Sequence, residues 1–166
     1  MKTLKYIEGN LLLDKTVDVI GHQANCQNTF GSGIARTIKE MYPEAYAADT
    51  QAAKERRNVL GDYSTAFIEH NPHGTKLKYI FNLYGQNLGT DRTKLNNRNT
   101  NYEALYSALQ KMSLGLSTWQ DTCEYTVGFP YLMGSALGGG DWRIVSRLIE
   151  VAFSDYKGDV LIVKLV

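Results

Sequence analysis

His22, Asn25 and Cys26 stand close together in a run that ends in Gly31-Ser32-Gly33, and Asp141 follows a second glycine-rich run, Gly134 to Gly140. These are the residue types able to do chemistry. An imidazole and a carboxylate can pass protons near neutral pH. Asn25 offers an acceptor and two donors, and a thiol is a nucleophile once it is deprotonated. The glycines contribute backbone: without a Cβ, their N–H groups can approach a ligand closely, and the helix that follows Gly33 favours an anion at its N-terminus. A phosphate-bearing ligand is therefore the first expectation. Each feature also has a plainer role. Gly-Ser-Gly is a common turn, His22 a loop histidine with a hydrogen-bond partner, Cys26 a small buried thiol, and Asp141 a helix N-cap. The third glycine of a dinucleotide fingerprint is missing, since Gly31 and Gly33 are followed by Arg36, and no Gly-Lys-Ser or Gly-Lys-Thr occurs.

The elements that must position these residues follow from periodicity. Val17, Val19 and Ile20 suit a buried strand, the stretch from Gly21 to Gly33 reads as a loop, and Ile34, Ala35, Ile38 and Met41 recur at helical spacing. Leu4 to Glu8 and Leu11 to Leu13 read as one strand broken at Gly9-Asn10. After Pro43, Glu44 to Arg57 is rich in good helix formers. Tyr63 to Ile68 and Leu77 to Tyr84 are strands, separated by the turn Asn71-Pro72-His73-Gly74 with His70 and His73 at the surface. Gln86 to Asn99 is long and polar: a binding loop or lid, or a plain insertion. Thr100 and Glu103 have capping-box spacing ahead of a stripe at Tyr102, Leu105, Leu109 and Met112. Tyr125 to Phe129 is a strand, Asp141 opens a helix with Trp142, Val145, Ile149 and Ala152 on one face, and Val160 to Leu165 is a closing strand. Strands alternating with helices predict a mostly parallel sheet covered on both faces.

A chain of 166 residues, 43% hydrophobic, fits a single domain over residues 1–166 with a sizeable core. The net charge of +1 gives no reason to expect nucleic acid or an anionic membrane as partner. Lys54 to Arg57 is a short charged helix face. Two cysteines, Cys26 and Cys123, make neither a disulfide framework nor a zinc site. With no apolar leader in MKTLKYIEGN, they point to a reducing, cytoplasmic setting.

Gly9-Asn10-Leu11-Leu12, then His22-Gln23-Ala24-Asn25-Cys26, then Gly31-Ser32-Gly33-Ile34-Ala35, then Gly134 to Trp142, taken in that order, resemble a macrodomain. Within that family they are most similar to small ADP-ribose-1″-phosphate phosphatases. The resemblance spans nearly the whole chain. It implies an α/β fold, a three-layer α/β/α sandwich with a mostly parallel central sheet and a cleft at the strand ends. The ligand would be a small-molecule ADP-ribose derivative, bound by a monomer with no metal and no cofactor. Asn10, flanked by Gly9 and Leu11, would hold the adenine, although many macrodomains carry Asp at that place. Asn25 would hold the distal ribose. Gly31, Ser32, Gly33 and Ile34, with Gly134, Ser135, Ala136, Leu137, Gly138 and Gly139, would lie over the diphosphate. His22 and Asp141 would be the catalytic pair, the imidazole protonating the leaving ribose oxygen or attacking phosphorus itself. Two alternatives stand beside this activity: removal of ADP-ribose from modified side chains or nucleotides, and non-catalytic reading of ADP-ribose. One branch of similar macrodomains uses a lysine just past the strand Leu77 to Tyr84; here that place holds Gln86, which cannot form a Schiff base.

Overall fold

The computed structural model describes residues 1–87, 99–119, 121–136 and 138–166. Among these, six strands form one sheet in the order β1-β6-β5-β2-β4-β3. They are β1 (Lys5–Gly9), β2 (Val19–Asn25), β3 (Tyr63–Phe67), β4 (Tyr79–Gln86), β5 (Val127–Pro130) and β6 (Val160–Leu165). All neighbours pair in parallel except β3, which runs antiparallel to β4 at one edge. Helices α1 (Gly33–Met41) and α2 (Pro43–Lys54) cover one face; α3 (Tyr102–Thr118) and α4 (Trp142–Ala152) cover the other. This is the expected three-layer sandwich.

The side-chain alternation of strands divides the core in two. Val19, Phe81, Leu83 and Phe129 face α3 and α4, packing on Leu105, Leu109, Met112, Val145 and Ile149. Ile20, Ala24, Ile80 and Tyr84 face α1 and α2, packing on Ile38, Tyr42 and Ala45. The α3 and α4 stripes read from the sequence are thus core stripes.

Four expectations need correction. β2 continues through Asn25, so His22, Gln23 and Ala24 are strand residues; β4 pairs with the strand along this whole stretch, with a register shift at Ala24/Asn25. Leu11–Leu13 is a turn of 3-10 helix, because the Asn10 side chain accepts from the Leu12 N–H at 3.1 Å and Leu11 and Leu12 turn into the core. The cap of α3 is Asn101, whose Oδ1 accepts from the Ala104 N–H, while the Thr100 hydroxyl goes to the Gly134 carbonyl at 2.7 Å. His73 is half-buried, its Nε2–H donating to the Met41 carbonyl at 2.9 Å; His70 is exposed as expected. The polar segment after Gln86 lies outside the described residues from 88 to 98, as does Leu137.

Candidate functional site

A cleft of about 650 Å³ opens at the carboxyl ends of β2, β4 and β5, where open α/β sheets bind ligands. One wall is Gly31, Ser32, Gly33, Ile34 and Ala35; the other is Pro130 to Gly134 with Ala136 and Gly138. Gln23, Asn25, Gln86 and Asn99 form its floor and far end. A second concavity of about 620 Å³, at Met41, Glu44, Glu69 and His70, contains neither glycine run.

The two walls differ in what they offer. Ser32 precedes α1 in an extended conformation and its side chain makes no capping bond. The first intrahelical bond, from the Arg36 N–H, reaches the Ser32 carbonyl. The N–H groups of Gly33, Ile34 and Ala35, in the first turn, are therefore left without intrahelical partners at the cleft, where the helix dipole adds positive potential. Gly33 holds φ +60°, a left-handed conformation that other residues take at a cost. The second wall is knotted on itself. The Ser135 N–H donates to the Leu132 carbonyl, Gly139 to Ala136 and Gly140 to Gly134. Ser135 and Gly139, expected as phosphate donors, thus have their N–H groups committed inside the loop and do not line the cleft. Glycine is needed at 138 for room: a Cβ there would strike Thr100 Oγ1 and come within 2.8 Å of the Gly134 oxygen. Thr100 ties this loop to β2, accepting from Gln23 Nε2 at 2.9 Å while donating to Gly134.

Asn25 lies in the cleft lining but spends its amide on its own loop. Its Nδ2 donates to the Thr29 carbonyl and hydroxyl, both at 2.9 Å, and its Oδ1 accepts from the Gln27 N–H. Gly9, Asn10 and Leu11 do not line the cleft. Leu11 is buried against β5, where it packs on Gly128.

The structure does not bring His22 and Asp141 together in the cleft lining. His22 is wholly buried on the α1/α2 face of β2, with the Phe30 ring edge-on at 5.3 Å. Its Nε2 lies 2.7 Å from Asn82 Oδ1. Asn82 Nδ2 donates to the Ala45 carbonyl, which fixes the amide with its oxygen toward the imidazole. Nε2 therefore carries the proton, and the buried Nδ1 has a lone pair with no partner among the described residues. Burial pushes the imidazole down to about 4, against the opposing effects of Asn82 and Asp49, so it is neutral at pH 7. Asp141 is the N-cap of α4, accepting from the Arg143 N–H at 2.9 Å, and pairs with the Arg143 guanidinium at 2.8 Å. These bonds from Arg143 hold its carboxyl below the usual range. Cys26 is half-buried and burial raises its thiol, opposite to what a nucleophile needs.

Gln86 lines the cleft at the end of β4. Sequence reasoning missed Gln23 and Thr100 as parts of the site; each becomes visible only when β2, the start of α3 and the second glycine run are brought together.

No family model matches the chain. An uncharacterised 17.5 kDa protein from the tk-vs intergenic region of Enterobacteria phage T4 is 29% identical over 151 residues, 89% of this chain and 88% of that one. Among solved structures, the macrodomain of Mycobacterium tuberculosis DarG superposes with a TM-score of 0.77 at 21% identity, covering 99% of this chain and 98% of that one. Thermosipho africanus DarTG in complex with ADP-ribose superposes at 0.77 with 15% identity, covering 99% of this chain and 42% of that one. The chain has the macrodomain fold.

Proposed function

We propose that the cleft binds ADP-ribose and that ADP-ribose-1″-phosphate is the derivative turned over there, by hydrolysis of its terminal phosphate. The observation that carries the binding half is the uncapped first turn of α1, opening at the cleft opposite a loop whose shape is held by its own hydrogen bonds. A diphosphate suits that N-terminus. The apolar side of the second wall, Pro130 to Met133, suits a ribose or base face. A solved neighbour of the same fold is a complex with ADP-ribose, which supports the same ligand class here.

Hydrolysis places water oxygen on phosphorus and leaves the 1″ oxygen of ADP-ribose with a proton. His22 and Asp141 are the titratable residues proposed for these transfers. Neutral His22 offers the Nδ1 lone pair as a base. To reach a substrate it needs Phe30 to move aside, since that ring packs on it. Gln86 at the lysine place speaks against a Schiff-base route.

Binding without turnover is the second reading, favoured by one observation: among the described lining residues Tyr131 alone has a titratable side chain. One experiment separates the readings. Calorimetry with ADP-ribose runs beside phosphate release from ADP-ribose-1″-phosphate, for wild type, His22→Ala and Asp141→Ser. Serine keeps the N-cap but cannot act as a carboxylate base. One-site binding with release that both variants lose supports the phosphatase. Binding with no release from wild type supports the reader, and no binding at millimolar ligand overturns both.

A further inference from the structure

Behind the first wall a buried polar chain runs from His22 to Asp49, and the reaction proposed above uses only its His22 end. Asp49, on α2, has no exposed surface. Tyr84 OH donates to its Oδ1 at 2.6 Å and Asn28 Nδ2 to its Oδ2 at 2.7 Å. Because the Tyr84 proton points to Asp49, the tyrosine oxygen accepts from Ser64 Oγ at 2.7 Å; Ser64 in turn accepts from Asn82 Nδ2 at 3.0 Å. Asn82 accepts from His22. His22, Asn82, Ser64 and Tyr84 thus each direct one donor along the chain toward Asp49. Burying a carboxylate is costly unless both oxygens are bonded, and one of the two bonds comes from a loop residue, Asn28.

Asn28 holds φ +57°, a conformation asparagine tolerates better than most residues. Three residues of α2 grip it: Asp49, Thr50 through Oγ1 at 3.2 Å, and Tyr46, whose hydroxyl donates to the Asn28 carbonyl at 3.0 Å. Phe30, two residues on, packs edge-on against both His22 and Tyr46. Gly31 follows directly. The segment that presents the first turn of α1 to the cleft is therefore fastened to the interior at Asn28.

We propose that Asp49 is a positioning residue for the cleft: through Asn28 it holds the segment from Asn28 to Gly33 in the shape that aims the α1 N–H groups at a diphosphate. The affinity part of this inference rests on the ADP-ribose reading; the ordering of the segment does not.

The test is a reciprocal exchange. Asn28→Asp sets a carboxylate against Asp49. Adding Asp49→Asn restores a donor–acceptor pair and the wild-type net charge, since the new amide can accept from Tyr84 and donate to the carboxylate introduced at position 28. ADP-ribose affinity is read by calorimetry, and the order of the segment by amide hydrogen exchange. Asn28→Asp is expected to weaken ADP-ribose about tenfold, the equivalent of ~1.4 kcal/mol, and to speed exchange at residues 29–35 with α3 and β5 unchanged. The double variant is expected to recover both. Asn28→Gly, which keeps the positive φ and adds no charge, should reproduce the loss and decides the matter if Asn28→Asp does not fold. Unchanged exchange and affinity in Asn28→Gly, or a folded double variant that recovers neither, overturns the proposal. If wild type does not bind ADP-ribose, the ligand reading falls and the exchange data alone decide the role of Asp49.

Discussion

His22 should make the stability of this protein fall with pH in a defined window. The perturbation is protonation of a ring that has nowhere to put a second proton. Nε2–H is already given to Asn82, Nδ1 has no acceptor among the described residues, and the ring is fully buried beside Phe30. Burial lowers the folded value to about 4 from an ordinary 6.5. The sign follows: as pH drops, the unfolded chain takes the proton first, so the stability contribution is complete above about pH 6.5. It falls by up to ~1.4 kcal/mol per pH unit between there and about pH 4, roughly 3 kcal/mol in all, and levels off below. The assay is urea unfolding of wild type and His22→Gln at several pH values from 7.5 to 4. Glutamine can still donate to Asn82 but does not titrate. Taking the difference between the two proteins cancels the carboxylates, His70 and His73. The wild-type advantage at pH 7.5 should shrink by roughly 3 kcal/mol on reaching pH 4. A difference that stays constant within ~0.5 kcal/mol, or a His22 resonance titrating near its ordinary value, would refute the reasoning.

Three further outcomes follow from single contacts. Thr100→Val keeps shape but leaves Gln23 Nε2 buried with no acceptor, beside an Oε1 that already has no donor among the described residues; it should cost ~1–3 kcal/mol in urea unfolding. Most of that should return on adding Gln23→Met, and strictly additive losses would contradict the contact's role. Gly33→Ala meets no atom within 4 Å yet must hold φ +60°, so it should cost ~1–2 kcal/mol in unfolding experiments, whereas Gly31→Ala, equally open and without that φ, should be near neutral. Asn25→Ala removes the bonds that shape residues 25–29, so calorimetry should find ADP-ribose and ADP weakened alike; a loss confined to ADP-ribose would instead put the side chain on the distal ribose.

Element order was readable because buried stripes leave periodic traces. Leu105, Leu109 and Met112 on α3, and Val145 and Ile149 on α4, are core positions in fact as in pattern. The reading failed where a polar side chain is satisfied by a partner distant in sequence. His22-Gln23-Ala24-Asn25 looks like loop, yet it is strand, since His22 meets Asn82 and Gln23 meets Thr100 across the fold. Asp49 sits among alanines on a helix, and nothing local says that Tyr84 and Asn28 close over it. Thr100 has the capping-box spacing, but its hydroxyl is taken by the Gly134 carbonyl, thirty-four residues away, and Asn101 caps α3 instead.

The site shows the same limit in its glycines. Two glycine-rich runs suggested two sets of phosphate donors, but a glycine is needed for conformation or for room as often as for an available N–H. In the second run the N–H groups of Ser135, Gly139 and Gly140 close the loop on itself, and Gly138 is there because Thr100 and the Gly134 carbonyl leave no space for a Cβ. In the first, Gly33 turns the chain into α1 and Ser32 leaves the helix uncapped, so the same residue types yield open donors. What distinguishes the runs is the presence of a helix start in one and a hydrogen-bonded knot in the other. Anion affinity in this cleft should therefore reside at α1, with the Gly134 to Gly140 loop acting as a fixed wall that sets the cleft's width.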